Sequence, residues 1–324
     1  MNSSEPRVVV IGCGSIARAH LGAIPRSCIF ALCDRDLNAA HRLRDEFELD
    51  VPIFDSLEAA LSATTLDCAI ICTPPATHFE LVHRALDSEV SILCEKPLAL
   101  SAHESYSLIE TARDRELTLR TSAKYRFCEG VRAAKSLLET GDAGAVRSAF
   151  VAFGSAFDFT RSWHANVALS GGGVWMDNGP HALDLARYFA GDLHLDTLLD
   201  WQCDGDLETE GHVRLLSESG IPIEILLSWT RTLGDHFAVL HCERGTLEIG
   251  WRETVWRPHK GQSRRIAGRY DKAASFAAQW QGFVGHDPRL GEEDGAHAVG
   301  LIEDIYRAAS STKCDSRATS PLCR

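Results

Sequence analysis

The sequence has no CxxC pair, no internal repeat, no long low-complexity tract and no apolar run of membrane-spanning length. Each absence removes a class of protein. Without cysteines at ligand spacing there is no zinc-site pattern, and the eleven cysteines, scattered from Cys13 to Cys323, read as reduced, mostly buried thiols inside apolar runs. Without an apolar span no membrane insertion is expected. Positive charge is also scarce. With 33 Lys and Arg against 45 Asp and Glu, a formal charge of -12, the chain lacks the basic excess of a general nucleic-acid binder. The start, Met1 to Arg7, lacks the basic and apolar segments of a signal peptide, so a cytoplasmic location is expected.

What is present fits a globular protein. At 324 residues, 45% apolar and 24% charged, the chain is long enough for two cores. Arg7 to Ile11 is an unbroken β-branched run, the signature of a strand buried on both faces. It leads into Gly12-Cys13-Gly14-Ser15-Ile16-Ala17 and then a helix expected over Ala17 to Ile24. This is GxGxxA: Gly12 permits the tight turn, Gly14 lets backbone approach a pyrophosphate, and Ala17 keeps helix close to sheet. A second strand, Ile29 to Cys33, ends at Asp34, twenty positions past Gly14 (34 − 14). A carboxylate there accepts the ribose hydroxyls and repels a 2′-phosphate, favouring NAD; Arg35 beside it keeps NADP as an alternative. Asp34 also suits a plain turn before a helix over Leu37 to Phe47.

Two further apolar runs continue the alternation, Cys68 to Cys72 and Val90 to Cys94. The first empties into Thr73-Pro74-Pro75-Ala76-Thr77-His78 and the second into Glu95-Lys96-Pro97. In an open parallel sheet, ligands bind beyond the carboxyl ends of the strands, so all three turns are expected at one functional edge. Lys96 precedes proline, which holds its backbone extended and admits a cis bond. An ammonium fixed there stabilises a developing alkoxide; in isolation it equally suits a solvated surface.

The most distinctive stretch is Gly171 to His181. Its glycines remove side chains where backbone must pass close to something else. Gly179 as cap and Pro180 at the first helical position predict a helix over Pro180 to Ala190, with His181 in its first turn. The helix dipole disfavours the imidazolium and Asp177 favours it, a balance that suits a general base. On these residues alone a structural role, Asp177 capping and His181 satisfied in the core, stands beside the catalytic one. No third ligand at recognisable spacing makes a metal site of the pair.

GCGSIA, TPPATH, CEKPLAL and GGGVWMDNGPHALDLARY, in this order, resemble the Gfo/Idh/MocA family of NAD(P)-dependent oxidoreductases, over roughly residues 7 to 310. The resemblance implies an α/β protein: a Rossmann dinucleotide-binding domain, expected over 1–122, and a C-terminal α+β domain with a large open, mostly antiparallel sheet, over 123–310, followed by a disordered tail, 311–324. It implies NAD (or NADP) held by Gly12, Gly14, Ser15, Ile16, Asp34, Arg35, Thr73, Pro74, His78, Glu95 and Lys96, with Trp163 packed near it or in the core. Lys96, Asp177 and His181 become the catalytic constellation, and Tyr125 and His164 further substrate contacts. Tyr125 belongs to a crossing segment, Lys124 to Phe127, whose side chains face the nicotinamide in the family; where the family commonly has arginine after tryptophan, this chain has His164. The implied substrates are sugars, cyclitols, sugar phosphates and nucleotide sugars. A homodimer or homotetramer through the C-terminal sheet is implied as well. Two rivals share the fold: an NAD-dependent glycosidase and a non-catalytic dinucleotide-binding regulator.

The second half reads as a last nucleotide-domain strand over Leu117 to Ser122, a helix over Val131 to Glu139 and a strand over Val146 to Phe153. Strands are then expected over Thr209 to Leu216, Ile221 to Trp229, Phe237 to Cys242 and Thr246 to Ile249, with turn signals between them. Arg252, Arg257, Lys260, Arg264, Arg265, Arg269 and Lys272 form a basic run, a solvated edge or a seat for a substrate phosphate. A closing helix is expected over Glu292 to Ala309.

Overall fold

The computed structural model describes residues 5–318, of which 312–318 are described as backbone alone. The chain divides into two compact units: the first comprises residues 1–128 and 271–296, the second 129–270 and 297–324. The sequence boundary expected at residue 122 therefore sits at 128 by packing, and a late segment returns to the first unit.

The first unit alternates strand and helix: β1 (Val8–Ile11), α1 (Ser15–Leu21), β2 (Ile29–Cys33), α2 (Leu37–Glu46), β3 (Ile53–Phe54), α3 (Leu57–Ala63), β4 (Cys68–Ile71), α4 (His78–Asp87), β5 (Ser91–Cys94), α5 (Ala102–Asp114) and β6 (Leu119–Thr121). All six strands pair in parallel, in the order β3-β2-β1-β4-β5-β6. The apolar runs follow from this. β1 is central, with helices on both faces, so all four of its side chains are buried. The strand order reverses between β1 and β4, and the crevice beyond their carboxyl ends is where a doubly wound sheet takes its ligand.

The second unit holds α6 (Glu129–Glu139), β7 (Val146–Gly154), the short α7 (Val167–Ser170) and α8 (Val174–Asp177), α9 (Gly179–Ala190), β8 (Leu193–Asp204), β9 (Leu207–Ser217), β10 (Pro222–Ser228), β11 (His236–Cys242), β12 (Gly245–Gly250), β13 (Thr254–Pro258) and β14 (Arg264–Ala267). Eight strands pair in the order β14-β13-β12-β11-β7-β10-β9-β8. Every pairing is antiparallel except β7 with β10. Alternation fixes which face is covered: Ile223, Ile225 and Leu227 of β10 are fully buried, while Glu224 and Leu226 between them are half-buried. α9 packs on β7 and β10, and α6 on β12, β13 and β14.

Helix α10 (Lys272–Val284) then rejoins the first unit, and α11 (Asp294–Ala318) begins there and continues in the second. α11 runs past the expected end at Ala309, so a helix occupies the first part of the expected tail; residues 319–324 lie outside those described. The basic run is partly strand: Arg264 and Arg265 are exposed on β14, the sheet's edge, and Arg257 of β13 is hydrogen-bonded to Glu248. Charged side chains on an edge strand discourage pairing with another chain. None of the nine described cysteines forms a disulfide, and eight are buried. No helix among the described residues is long and apolar enough to cross a membrane.

Candidate active site

In the first unit the turn after β1 is crowded on one side and open on the other. Gly12 has φ +87°, and a Cβ there would lie 2.8 Å from the Cys72 and Thr73 backbone. Only glycine fits. Gly14, exposed, has nothing within 4 Å of where its Cβ would be, so its backbone is open to a ligand, as are those of exposed Ser15 and half-buried Ile16 that follow. Asp34 lies at the end of β2, its Oδ2 accepting from Cys13 N–H (2.6 Å) and its Oδ1 from Asp36 N–H (2.8 Å). A carboxylate is thereby fixed beside the glycine turn. Arg35 is exposed. This cradle fits a dinucleotide: a glycine turn that a Cβ would fill, an open backbone after it, and an acid at the second strand's end.

Thr73 and Pro74 are half-buried at the end of β4. His78 is fully buried, its Nδ1 2.7 Å from the Pro97 carbonyl and its Nε2 2.9 Å from the Thr73 carbonyl. It ties the turn after β4 to the turn after β5, holding the cradle rather than lining it. Burial pushes its imidazolium down, and the two carbonyls and Glu95 oppose that push.

Glu95 is also buried, its Oε1 2.8 Å from Nε2 of His20 in α1. Burial alone would raise its carboxyl; His20 by hydrogen bond and charge, then Lys124 and Lys96, hold it down to about 2. Lys96 follows, half-buried, its bond to Pro97 cis. Tyr125, in the short helical turn Lys124–Phe127, is buried with the Lys124 ammonium 5.2 Å over its ring. Its neighbour Arg126 is buried too, 2.7 Å from Asp294 and donating to the Arg289 carbonyl.

In the second unit, Asp177 ends α8 and His181 lies buried in the first turn of α9. The helix start differs from the expected one. Asn178 is the cap and the helix begins at Gly179, because α8 runs directly into α9 with Asn178 N–H bonded to the Val174 carbonyl at 2.7 Å. Gly179 serves packing: a Cβ would press Trp175 and Ile302 at 3.2 and 3.4 Å.

Asp177 has a neighbour that its sequence spacing does not announce. His164 Nε2 stands 3.9 Å from Asp177 Oδ1, at the margin of an ion pair. The His164 ring is boxed by Trp163, stacked at 3.7 Å, and by the edges of Phe157 (5.2 Å) and Trp229 (5.9 Å). Ser162 Oγ lies 3.0 Å from the Phe159 carbonyl and 2.9 Å from His164 Nδ1, so Nε2 is the ring nitrogen turned to Asp177. Trp163 itself is 37% exposed. The His181 ring lies 6.4 Å from that of Phe153 in β7. Among the described residues no group of three His, Cys, Asp or Glu could hold a metal ion.

The glycine run has physical causes. Gly171, at φ +77°, ends α7; a Cβ on Gly172 would lie 2.0 Å from the Tyr306 hydroxyl, and one on Gly173 would lie 2.0 Å from the Glu208 carbonyl. Glu208 and Tyr306 carry no motif that marks them in the sequence. Burial pushes the Glu208 carboxyl up, and burial together with Glu208 pushes the Tyr306 hydroxyl well up.

Against known proteins, residues 6–122 match the oxidoreductase family with an NAD-binding Rossmann fold, and residues 131–248 match the Gfo/Idh/MocA C-terminal domain. D-apiose dehydrogenase of Rhizobium rhizogenes is 30% identical over 197 residues, 60% of this chain and 56% of that protein. Inositol 2-dehydrogenase of Rhizobium meliloti is 26% identical over 57% of this chain and 55% of its own length. The chain thus spans a little over half of those relatives. A D-xylose 1-dehydrogenase (NADP(+)) of Haloferax volcanii is 26% identical over 87% of this chain and 89% of its own. Among solved structures, an oxidoreductase from Agrobacterium radiobacter in complex with NAD+, L-tartaric acid and magnesium superposes with a TM-score of 0.83 at 21% identity, covering 95% and 97% of the two chains. With two matched domains and the fold they predict, the chain belongs to the Gfo/Idh/MocA family of oxidoreductases.

Proposed function

We propose that the protein is an NAD(P)-dependent dehydrogenase or reductase acting on a secondary alcohol or ketone of a sugar, cyclitol or sugar derivative, phosphorylated or nucleotide-linked forms included. The observation that carries the reading is the cradle: Gly12, Gly14 and Asp34 assembled at the switch point of a parallel sheet, with Lys96 at the end of β5 on the same edge. Relatives named for apiose, inositol and xylose support the substrate class.

A nicotinamide cofactor supplies hydride transfer when bound. The rest falls to the chain. His181 takes the proton from the substrate hydroxyl, Lys96 polarises the same oxygen, and Asp177 orients it or a neighbouring hydroxyl. Tyr125 and His164 complete the substrate contacts, and Trp163 lies against His164. The Asp34 carboxylate favours NAD over NADP by repelling a 2′-phosphate. A cytoplasmic homodimer or homotetramer completes the reading, formed through the open face of the second sheet, where Phe150, Leu226 and Val239 are half-buried.

The test is NADH absorbance with a panel of pentoses, glucosides and inositols. NADH accumulation is expected, and His181→Ala abolishes it with NAD affinity little changed. Glycoside cleavage without net NADH makes the protein an NAD-dependent glycosidase. Tight NAD binding with neither reaction makes it a regulator.

A further inference from the structure

The turn that carries Asp177 continues at its end into α9, so what needs an anchor is its start. α8 is one helical turn, and a single turn fixes several residues for one hydrogen bond. Its own bonds run from Asp177 N–H to the Gly173 carbonyl at 3.1 Å and, at the junction with α9, from Asn178 N–H to the Val174 carbonyl at 2.7 Å. The start of the turn is held from outside. Oε1 of Glu208, on β9, accepts from Gly173 N–H (2.9 Å) and Trp175 N–H (3.0 Å), and the same oxygen accepts from the Tyr306 hydroxyl of α11 (2.7 Å). Gly173 is therefore bonded on both sides, to Glu208 through its N–H and to Asp177 through its carbonyl.

The surroundings are shaped to this arrangement. Glu208 is only 4% exposed. Gly172 leaves room for the Tyr306 hydroxyl, and Gly211 leaves room for the fully buried Trp175, whose Nε1 would be 2.1 Å from a Cβ there. Trp201 stacks toward Trp175 and meets the Tyr306 ring edge-on. A buried carboxylate is a poor way to gain stability, since a well-packed apolar residue usually does as well or better. Here its backbone donors both belong to the segment that carries Asp177.

We propose that Glu208 and Tyr306 are positioning residues for the hydride-transfer reaction, a brace that fixes the Gly173–Asp177 turn and so the direction of the Asp177 carboxylate. The inference rests on the dehydrogenase reading for its catalytic consequence, and on geometry alone for its mechanical one. The two are separated by measuring both local exchange and turnover.

Tyr306→Phe keeps the ring against Trp201 and deletes one donor; Glu208→Gln keeps an acceptor oxygen, and Glu208→Leu removes it. Hydrogen–deuterium exchange on the full chain reads the amides of 171–178. Charge-assisted bonds of this kind are strong enough that Glu208→Leu is expected to speed exchange there about tenfold or more, with Tyr306→Phe intermediate. Exchange in α9 and β10 stays within about twofold. With the best substrate of the sugar panel, kcat falls about tenfold in Glu208→Leu while the NAD dissociation constant is unchanged, and Glu208→Gln recovers most of the loss. Unchanged exchange at 171–178 in Glu208→Leu overturns the brace. So does loosening spread evenly over the second unit, or local loosening with full kcat. If no sugar in the panel reduces NAD, the dehydrogenase reading fails, and the exchange result still decides the brace.

Discussion

Replacing His20 with alanine removes the partner of a carboxylate that has left water. The side chains of His20 and Glu95 are 3% and 7% exposed, 2.8 Å apart. Breaking a buried pair from one side costs about 3–5 kcal/mol, because the remaining charge keeps its desolvation penalty. Set against burial, the net lowering of Glu95 belongs to His20 together with Lys124 and Lys96. Glu95 is held at about 2 against an ordinary 4.5, and at about 1.4 kcal/mol per pH unit the difference of 2.5 (4.5 − 2) amounts to about 3 kcal/mol. Its sign is fixed by linkage. A depressed carboxyl contributes stability that is complete above pH 4.5 and lost as pH falls through about 2. In His20→Ala burial acts with less opposition, the carboxyl moves up, and the penalty relaxes as acid protonates it. Urea denaturation of both proteins, followed by circular dichroism, therefore should show a gap of about 3–5 kcal/mol near neutrality that narrows at about pH 4. A gap below about 1 kcal/mol, or one that does not change with pH, would refute the argument.

Asp34→Asn keeps an acceptor for Cys13 N–H but drops the charge; NADH affinity should fall about tenfold and discrimination against NADPH should shrink, as measured by fluorescence titration, and an unchanged ratio counts against the assigned role. Gly172→Ala puts a Cβ 2.0 Å from the Tyr306 hydroxyl and should cost about 1–3 kcal/mol in thermal denaturation. Combining it with Tyr306→Phe should return part of that loss, since the colliding oxygen is gone. For His78, whose imidazolium is pushed below 6.5 by burial, the folded ring binds its proton more weakly than the unfolded one. Its contribution is then complete above pH 6.5 and lost as pH falls below it, and His78→Gln should flatten that part of the stability profile.

The first unit was legible because its central strands are buried on both faces and so spell continuous apolar runs; β2 falls at Ile29–Cys33, as read from the sequence. The second sheet was legible only in its middle. β8 alternates through Leu193, Leu195, Leu199, Trp201 and Cys203 yet is exposed along most of its length, and β14 bears Arg264 and Arg265; both lie at the edges of the sheet, where the core does not fix the pattern. α10 could have been found, since Phe276, Trp280 and Phe283 recur at helical spacing and all are buried. In the candidate site, Asp177 and His181 stand in a stretch dense with glycine and were visible for that reason. Glu208, Tyr306 and His20 were not. Glu208 and Tyr306 meet across 98 positions, and His20 and Glu95 across 75, so no local pattern marks them.

The late return of residues 271–296 to the first unit bears on how the protein is made. Trp280, Phe283 and Leu290 share one apolar cluster with Val8, Leu32 and Ile70, and Gln279 accepts from Ala123 N–H at 2.7 Å. During synthesis, the nucleotide-binding half must wait, with part of its interior open to water, until residues 279–290 have left the ribosome. A fragment ended at Cys128 is therefore a sticky, unfinished object, and cutting there to obtain a free-standing cofactor domain is the wrong place to cut.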